Sequence, residues 1–334
     1  MARRSSAATI ADVAKAASVS PATVSRVMNG RFLGDAGIAD RVRAVAAELE
    51  YSPSHLARSL ALGTTSAIAF VVPDLANPAF QAILSSLSKA AAKDGYRVLV
   101  ADSAETPSDE PLLVNEIRRR CDAVVLCAPR MSDTELEDIA ATIKPLVLIN
   151  RANPRVDAPS LSIDYRSGIQ DLLQHLHDLG HRRMTYLEGP ASSVSNRLRL
   201  EGIADFEERT ADVSITRVPG GATSEEGLAA AAGVRESGVT AALAFNDLLA
   251  IGLLNGLIEL GVRVPEDVSV TGFDDIPFAR YTTPQLTTLS VPHSDLGTQA
   301  WERMRALVGR ETPDTNVVFH PRLEVRRSTA APRR

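Results

Sequence analysis

Cysteine is nearly absent from this chain. There are two in 334 residues, Cys121 and Cys127, on either side of an apolar "DAVVL" run. Two cysteines without paired histidines make no metal-ligand set, and they make no disulfide framework either. Both are expected to pack around a buried strand. Aromatic residues are also few, at 4% with a single Trp. No apolar run approaches the roughly 18 residues of a membrane span, which excludes a membrane partner. Asp12 and Lys15 fall where a secretory signal would need an unbroken apolar stretch, so a cytoplasmic location is expected. GxGxxG, the P-loop, GxSxG and HExxH are all missing, and with them the usual signs of a cofactor, a metal or a catalytic nucleophile.

What is present is a long, alanine-rich chain, 45% hydrophobic, with a net charge of −5 that is unevenly spread. Residues 1–62 hold eight Arg/Lys against five Asp/Glu, a surplus of +3, which leaves −8 on the rest. A modestly basic head on an acidic body suits a small nucleic-acid module joined to something else.

The head reads "TIADVAKAASVSPATVSRVMNG". Thr9 followed by Asp12 is a capping-box start, and Val13, Ala14 and Ala17 give a first helix its apolar stripe. Ser20-Pro21 is an N-cap with proline at the first helical position. In the second helix Val24, Val27 and Met28 follow core spacing, leaving Ala22, Arg26 and Asn29 on the outer face. Such a face is unusual for a solvated surface, which would carry Glu and Lys. Small residues let a helix approach a groove wall, arginine forks onto a guanine edge, and alanine meets a thymine methyl. Asp35 caps a third helix carrying Val42, Val45, Ala46 and Leu49. Then Ser52-Pro53 opens a segment with Leu56 and Leu60 one turn apart, stopped by Gly63-Thr64-Thr65. Helices shorter than about 12 residues are marginal alone, so on spacing this segment reads equally as a linker or as a helix formed on docking.

From residue 67 short apolar runs alternate with amphipathic stretches: "AIAFVV", "YRVLVA", "DAVVLCA", "PLVLIN", "RMTYLEG", "TAALAFN" and "VSVTGFDD". This is the βαβ signature of parallel sheets, here in two units of similar length that imply paired lobes around a cleft. Polar residues gather just past the strand ends, where open α/β sheets bind ligands. They are Asp74 and Asn77, Asn150 and Arg151, Asn246 and Asp247, and Asp274 and Asp275, with Ser193, Ser195 and Arg199 in "GPASSVSNRLRLEG". With Phe80 nearby, such a set bonds sugar hydroxyls and stacks a sugar's apolar face. Taken singly, each is read first as a cap or turn residue, and Asp247 and Asp275 are expected as caps.

The head, the "AAELEYSPSHLARSL" segment, and the phrases "HLHDLGHRRMTYLEGP", "AFNDLLAIGLLNGLIELGVRVPEDVSVTGFDD" and "TTPQLTTLSVPHSDLGTQA" together resemble the LacI/GalR transcription regulators over residues 8 to 326. The resemblance implies an α/β fold: a helix-turn-helix head (1–52), a hinge helix and linker (53–65), and a two-lobed effector and dimerisation domain similar to periplasmic sugar-binding proteins (66–330). The N-lobe would comprise about 66–163 plus 291–320, and the C-lobe about 164–290 plus 321–330. It implies a homodimer on a near-palindromic double-stranded DNA operator, with the second helix in the major groove and Leu60 wedged into the minor groove. Unstacking a base step in this way costs a few kcal/mol, offset by contacts on the bent duplex. The chain shows no C-terminal heptad, which favours dimers over tetramers.

Pro21 and Ala22 hold the positions that set operator preference in the family, and neither brings a hydrogen-bonding side chain. Base and backbone contact then falls to Ser20, Thr23, Ser25, Arg26 and Asn29, with Ala57 and Arg58 beside the wedge. Effector contacts implied by match are Phe80, Asn150, Ser193, Ser195, Arg199, Asn246, Asp274 and His293. The expected function is repression controlled by a small molecule, a sugar by this resemblance. A sugar-binding protein or a carbohydrate-active enzyme on the same scaffold is the alternative; adjacent carboxylates such as Asp274 and Asp275 do not supply the separated pair a glycosidase needs.

Overall fold

The computed structural model describes residues 8–28, 30–51, 64–313 and 316–333. The chain divides between Thr65 and Ser66 into two units. Cap chemistry sets the helices of the first: α1 (Ile10–Ala16), α2 (Pro21–Met28) and α3 (Ala36–Glu48). The Thr9 N–H donates to Asp12 Oδ2 at 2.8 Å while Thr9 Oγ1 accepts from the Asp12 N–H at 3.3 Å, a closed capping box. Ser20 Oγ accepts from the Thr23 N–H at 3.1 Å, and Asp35 Oδ1 from the Gly37 N–H at 2.6 Å. Val13, Ala14, Ala17, Val24, Val27, Ala39, Val42 and Ala46 close into one core. The side chains are small, so the three helices pack tightly, and Arg41 Nε reaches the Ala17 carbonyl at 3.1 Å to satisfy the end of α1.

The second unit is built on two parallel sheets. In β1 (Ala67–Val72) all six residues are buried, and β3 (Ala123–Cys127) and β4 (Leu146–Ile149) are likewise apolar on both faces. Such runs hold only where helices cover both sides. With β2 (Arg97–Asp102), β5 (Ser160–Ile163) and β11 (Asn316–Phe319) they form a six-stranded sheet of order β11-β5-β4-β3-β1-β2. Its cover includes α4 (Pro78–Lys93), α5 (Glu110–Arg118), α6 (Asp133–Thr142) and α11 (His293–Val308). Cys121 and Cys127 are both buried here, and burial pushes the Cys121 thiol up to about 11, so it stays an unreactive thiol.

The second sheet has order β7-β6-β8-β9, from β6 (Arg183–Glu188), β7 (Ser214–Pro219), β8 (Ala241–Ala244) and β9 (Ser269–Thr271). Its helices include α7 (Tyr165–Asp178), α8 (Val194–Arg209), α9 (Ser224–Ser237) and α10 (Asp247–Glu259). A short antiparallel pair joins β10 (Thr288–Ser290) to β12 (Arg322–Glu324). After β5 the chain leaves the first sheet for the second, β11 returns to the first, and β12 pairs with β10 outside both. Glycine allows the closest helix contacts: a Cβ at Gly252 in α10 would collide with the Ser224 carbonyl of α9, and one at Gly227 with the Leu249 carbonyl. His175 and His181 are structural in this lobe, the first bonded to Thr329 Oγ1 at 3.0 Å and the second between Thr240 Oγ1 and the Ala330 carbonyl. Among the described residues no helix is long and apolar enough to cross a membrane.

Candidate functional site

Strand C-termini of both sheets open on one cleft of about 520 Å³, counting its mouth. The first lobe contributes Asp74 and Phe80 beyond β1, Glu105 beyond β2, Arg130 beyond β3, Asn150 at the end of β4, and His293 at the start of α11. The second contributes Ser195 and Arg199 from α8, Phe245 and Asn246 beyond β8, and Asp274 beyond β9, and Tyr165, at the start of α7, lines the same cleft.

Arg199 dominates this wall. Its side chain is 2% exposed, with the guanidinium carbon 3.8 Å from the Phe273 ring centre, 4.6 Å from that of Tyr165 and 4.7 Å from that of Phe245. Three ring faces hold the positive charge in an apolar setting. Arg199 Nε and Nη1 have no hydrogen-bond partner, and neither does Asn150 Oδ1 on the opposite lobe. Buried polar atoms left without partners cost about 1–3 kcal/mol each, and such groups mark places where a ligand completes the bonding.

Asp274 stands in left-handed backbone, φ 114, and Asn150 at φ 54; both conformations are costly for residues with a Cβ and are retained at binding sites. The Asp274 N–H donates to the Leu289 carbonyl at 2.9 Å, which fixes the loop. Burial pushes the Asp274 carboxyl up to about 7, opposed by Arg199. His293 moves the other way: burial pushes it down to about 4, against Asp275, so its imidazole is neutral.

The structure brings Phe80, Asn150, Ser195, Arg199, Asn246, Asp274 and His293 around one cleft. Ser193 stands apart from its lining. It is the N-cap of α8, where Oγ accepts from the Asn196 N–H at 3.3 Å and shares a 2.8 Å hydrogen bond with Ser195. Asn246 has two roles, since Oδ1 caps α10 at the Leu249 N–H (2.8 Å) and Nδ2 donates to the Ala222 carbonyl (2.9 Å). The expected caps Asp247 and Asp275 are therefore corrected. Asp247 is fully buried and accepts from the Ile276 N–H at 2.8 Å and the Thr288 hydroxyl at 2.5 Å. Asp275 is ion-paired with Arg326 at 2.5 Å and Arg280 at 3.2 Å. Arg151 turns into the first lobe, onto the Pro129 and Met131 carbonyls and Asp133.

Glu105, Arg130, Tyr165 and Phe245 escaped the sequence reading. All four sit within three residues of a strand end, so the strand-end rule, applied to every residue past every strand, would have found them. Among the described residues no group of His, Cys, Asp and Glu is arranged to hold a metal.

On the head, Pro21, Ala22 and Arg26 are exposed along α2, and Val24 and Val27 are buried beneath them. Ser20 Oγ and Thr23 Oγ1 share a 2.9 Å hydrogen bond, and Ser25 is half-buried. Asn29, Ala57, Arg58 and Leu60 lie outside the described residues, as does the whole of 53–61.

Comparison with known proteins finds two family descriptions on the chain. "Bacterial regulatory proteins, lacI family" matches residues 9–54 and "Periplasmic binding protein-like domain" residues 173–329. The transcriptional regulator GalR of Salmonella typhimurium is 33% identical over 332 residues, covering 97% of this chain and 97% of its own. The lac repressor dimer bound to operator and the anti-inducer ONPF is 28% identical, with a TM-score of 0.86 over 98% of this chain and 100% of its own. A LacI-family regulator from Enterococcus faecium with bound ribose is 25% identical, with a TM-score of 0.71 over 79% and 99%.

Proposed function

The chain belongs to the LacI/GalR family of DNA-binding transcriptional regulators, and from that premise we propose that it is a repressor whose hold on its operator is set by a sugar bound between the two lobes. The observation that carries the effector reading is Arg199: a guanidinium buried among three rings, with Nε and Nη1 unpartnered, facing Asp274 and an unpartnered Asn150 oxygen across the cleft. Two donors and an acceptor in one small space match neighbouring hydroxyl groups, which both accept and donate. Ser195, Asn246, Phe80 and His293 complete the surround, and Ser193 acts by holding the start of α8. The ribose and ONPF complexes of the related regulators support a small polar ligand.

For DNA, the proposed face is α2, with Arg26 reading a base edge and Ser20, Pro21, Ala22, Thr23 and Ser25 meeting the groove wall. In the proposal Asn29 joins Arg26 in reading the major groove, and Leu60, with Ala57 and Arg58 beside it, wedges into the minor groove. The operator-bound lac repressor dimer supports a homodimer spanning two half-sites of a near-palindrome. To carry an operator from mostly bound to mostly free, the sugar must distinguish the two states by about 5 kcal/mol.

The test is a gel-shift titration of the full-length protein on palindromes selected from a random duplex library, with and without sugars that raise its melting temperature. The reading requires one selected palindrome to bind as a two-fold complex and at least one stabilising sugar to change its affinity. Equal affinity for all duplexes, or none altered by any stabilising sugar, refutes it.

A further inference from the structure

The cleft holds two guanidinium groups in opposite circumstances. Arg199 keeps two N–H donors free for a ligand. Arg130, 6% exposed, has each of its three nitrogens engaged: Nε and Nη2 donate to the two oxygens of Glu105 at 2.6 and 2.7 Å, and Nη1 donates to the Ala128 carbonyl at 3.2 Å. The pair is held rigidly from both sides. The Arg130 N–H donates to Glu110 Oε2 at 2.7 Å, a buried carboxylate that also accepts from the Met131 N–H. Glu105 sits in left-handed backbone, φ 54, with its N–H on the Pro73 carbonyl at 2.7 Å. A two-point fork of this kind is among the stronger side-chain pairings.

Arg199 apart, the charged groups that face that fork are carboxyls. Asp74 lines the same wall, and Asp274 faces it from the other lobe beside Arg199. An anionic group entering the first lobe's side would meet Asp74 and Glu105, with the Arg130 charge already matched. On the second lobe's side it would compete with Asp274 for Arg199. Uncharged hydroxyls meet no such opposition, since they donate to carboxylates as readily as they accept from Arg199.

We infer that Glu105 sets the charge selectivity of the cleft: by clamping Arg130 it restricts the site to uncharged polyhydroxyl ligands and bars phosphorylated sugars and sugar acids. The inference rests on the effector reading above and narrows it.

The experiment is calorimetry and thermal shift on the full-length protein with D-glucose, D-galactose, D-ribose and D-xylose, set beside glucose 6-phosphate, ribose 5-phosphate and D-galacturonate. The wild-type protein should bind at least one neutral sugar and hold its anionic counterpart more weakly by about tenfold or more. Glu105→Gln keeps the shape but removes the charge that clamps Arg130, so it should tighten the anionic sugar about tenfold relative to its neutral counterpart. The double variant Glu105→Gln/Arg130→Met should lose that gain. A wild-type protein that takes an anionic sugar as tightly as its neutral counterpart overturns the inference while the effector reading stands. So does a gain that fails to appear in a folded Glu105→Gln protein, or one that survives the loss of Arg130. If neither class of sugar binds, the effector reading itself fails and takes the inference with it. Should Glu105→Gln not fold, Glu105→Ala takes its place and must show the same gain for the anionic sugar, or the inference falls.

Discussion

Replacing Arg199 by methionine separates ligand recognition from folding, because the structure assigns the guanidinium opposing effects on stability. Its three ring contacts, at 3.8, 4.6 and 4.7 Å, contribute about 2 kcal/mol in a desolvated setting. Against that, Nε and Nη1 are buried without partners, at a cost of about 1–3 kcal/mol each. Methionine fills a similar length, touches the rings through sulfur and leaves no orphaned donor. Set against each other, about 2 kcal/mol lost and about 2–6 kcal/mol relieved leave the variant at least as stable as the wild type, so the melting temperature should hold or rise. The ligand loses two charge-assisted hydrogen bonds of about 1.5–3 kcal/mol each, which corresponds to roughly 10²- to 10⁴-fold in affinity. Calorimetric titration with a sugar that stabilises the wild-type protein, alongside differential scanning calorimetry, reads both quantities. Arg199→Lys keeps a charge but not the planar fork, and should sit between the two. An Arg199→Met protein that melts like wild type and binds the sugar within threefold would refute the reasoning.

Arg26→Ala should cost about 1–3 kcal/mol of operator affinity and relax base preference at one position of each half-site, with no change in melting, since Arg26 is exposed; competition gel shifts read this. Asp274 and His293 should give the stability–pH curve opposite tilts. The Asp274 carboxyl rises from 3.8 to about 7 on folding, so the native state binds more protons across that window and stability falls as pH rises through it. Asp274→Asn should remove this fall, in an environment where Asp247, Tyr165 and Arg199 are the neighbouring ionisable groups. His293 drops from 6.5 to about 4, so there the unfolded state binds more protons and stability rises with pH between those values. His293→Gln should remove the rise, and urea titrations at pH 4 to 8 check both signs. Gly252→Ala should destabilise by about 1–3 kcal/mol, because its Cβ meets the Ser224 carbonyl and α9 must move away; thermal melting reads the loss.

The helices of the head were legible because their signals are local. Thr9 and Asp12 stand three apart, Ser20 precedes Pro21, and Asp35 precedes a run of good helix formers. The strands were legible because burial on both faces leaves unbroken apolar runs. The cleft was partly legible for a related reason: a parallel sheet brings the residues just past its strands to one edge, and Asn150, Asn246 and Asp274 hold such positions. The pairing of Glu105 with Arg130 was hidden because the two stand 25 residues apart and meet only through the sheet order β3-β1-β2, which no periodicity records. Asp247 and Asp275 were misread as caps because an acid just past a strand end looks like a cap until packing shows Asp247 bonded to Thr288 and Asp275 paired with Arg326. Ser193 and Ser195 differ by two residues along one turn, and that rotation sends the first to cap the helix and the second to the cleft.

The 2.9 Å bond between Ser20 Oγ and Thr23 Oγ1 has a consequence for how the head would discriminate among sequences. Hydroxyls that already satisfy one another gain little by exchanging that bond for one to a matching base. Where a mismatched edge separates them without offering a substitute, the full desolvation cost falls on the complex. Fidelity at these two positions then comes from penalising wrong partners more than from rewarding the right one, so variants there should alter which duplexes are rejected before they alter how tightly the best is held.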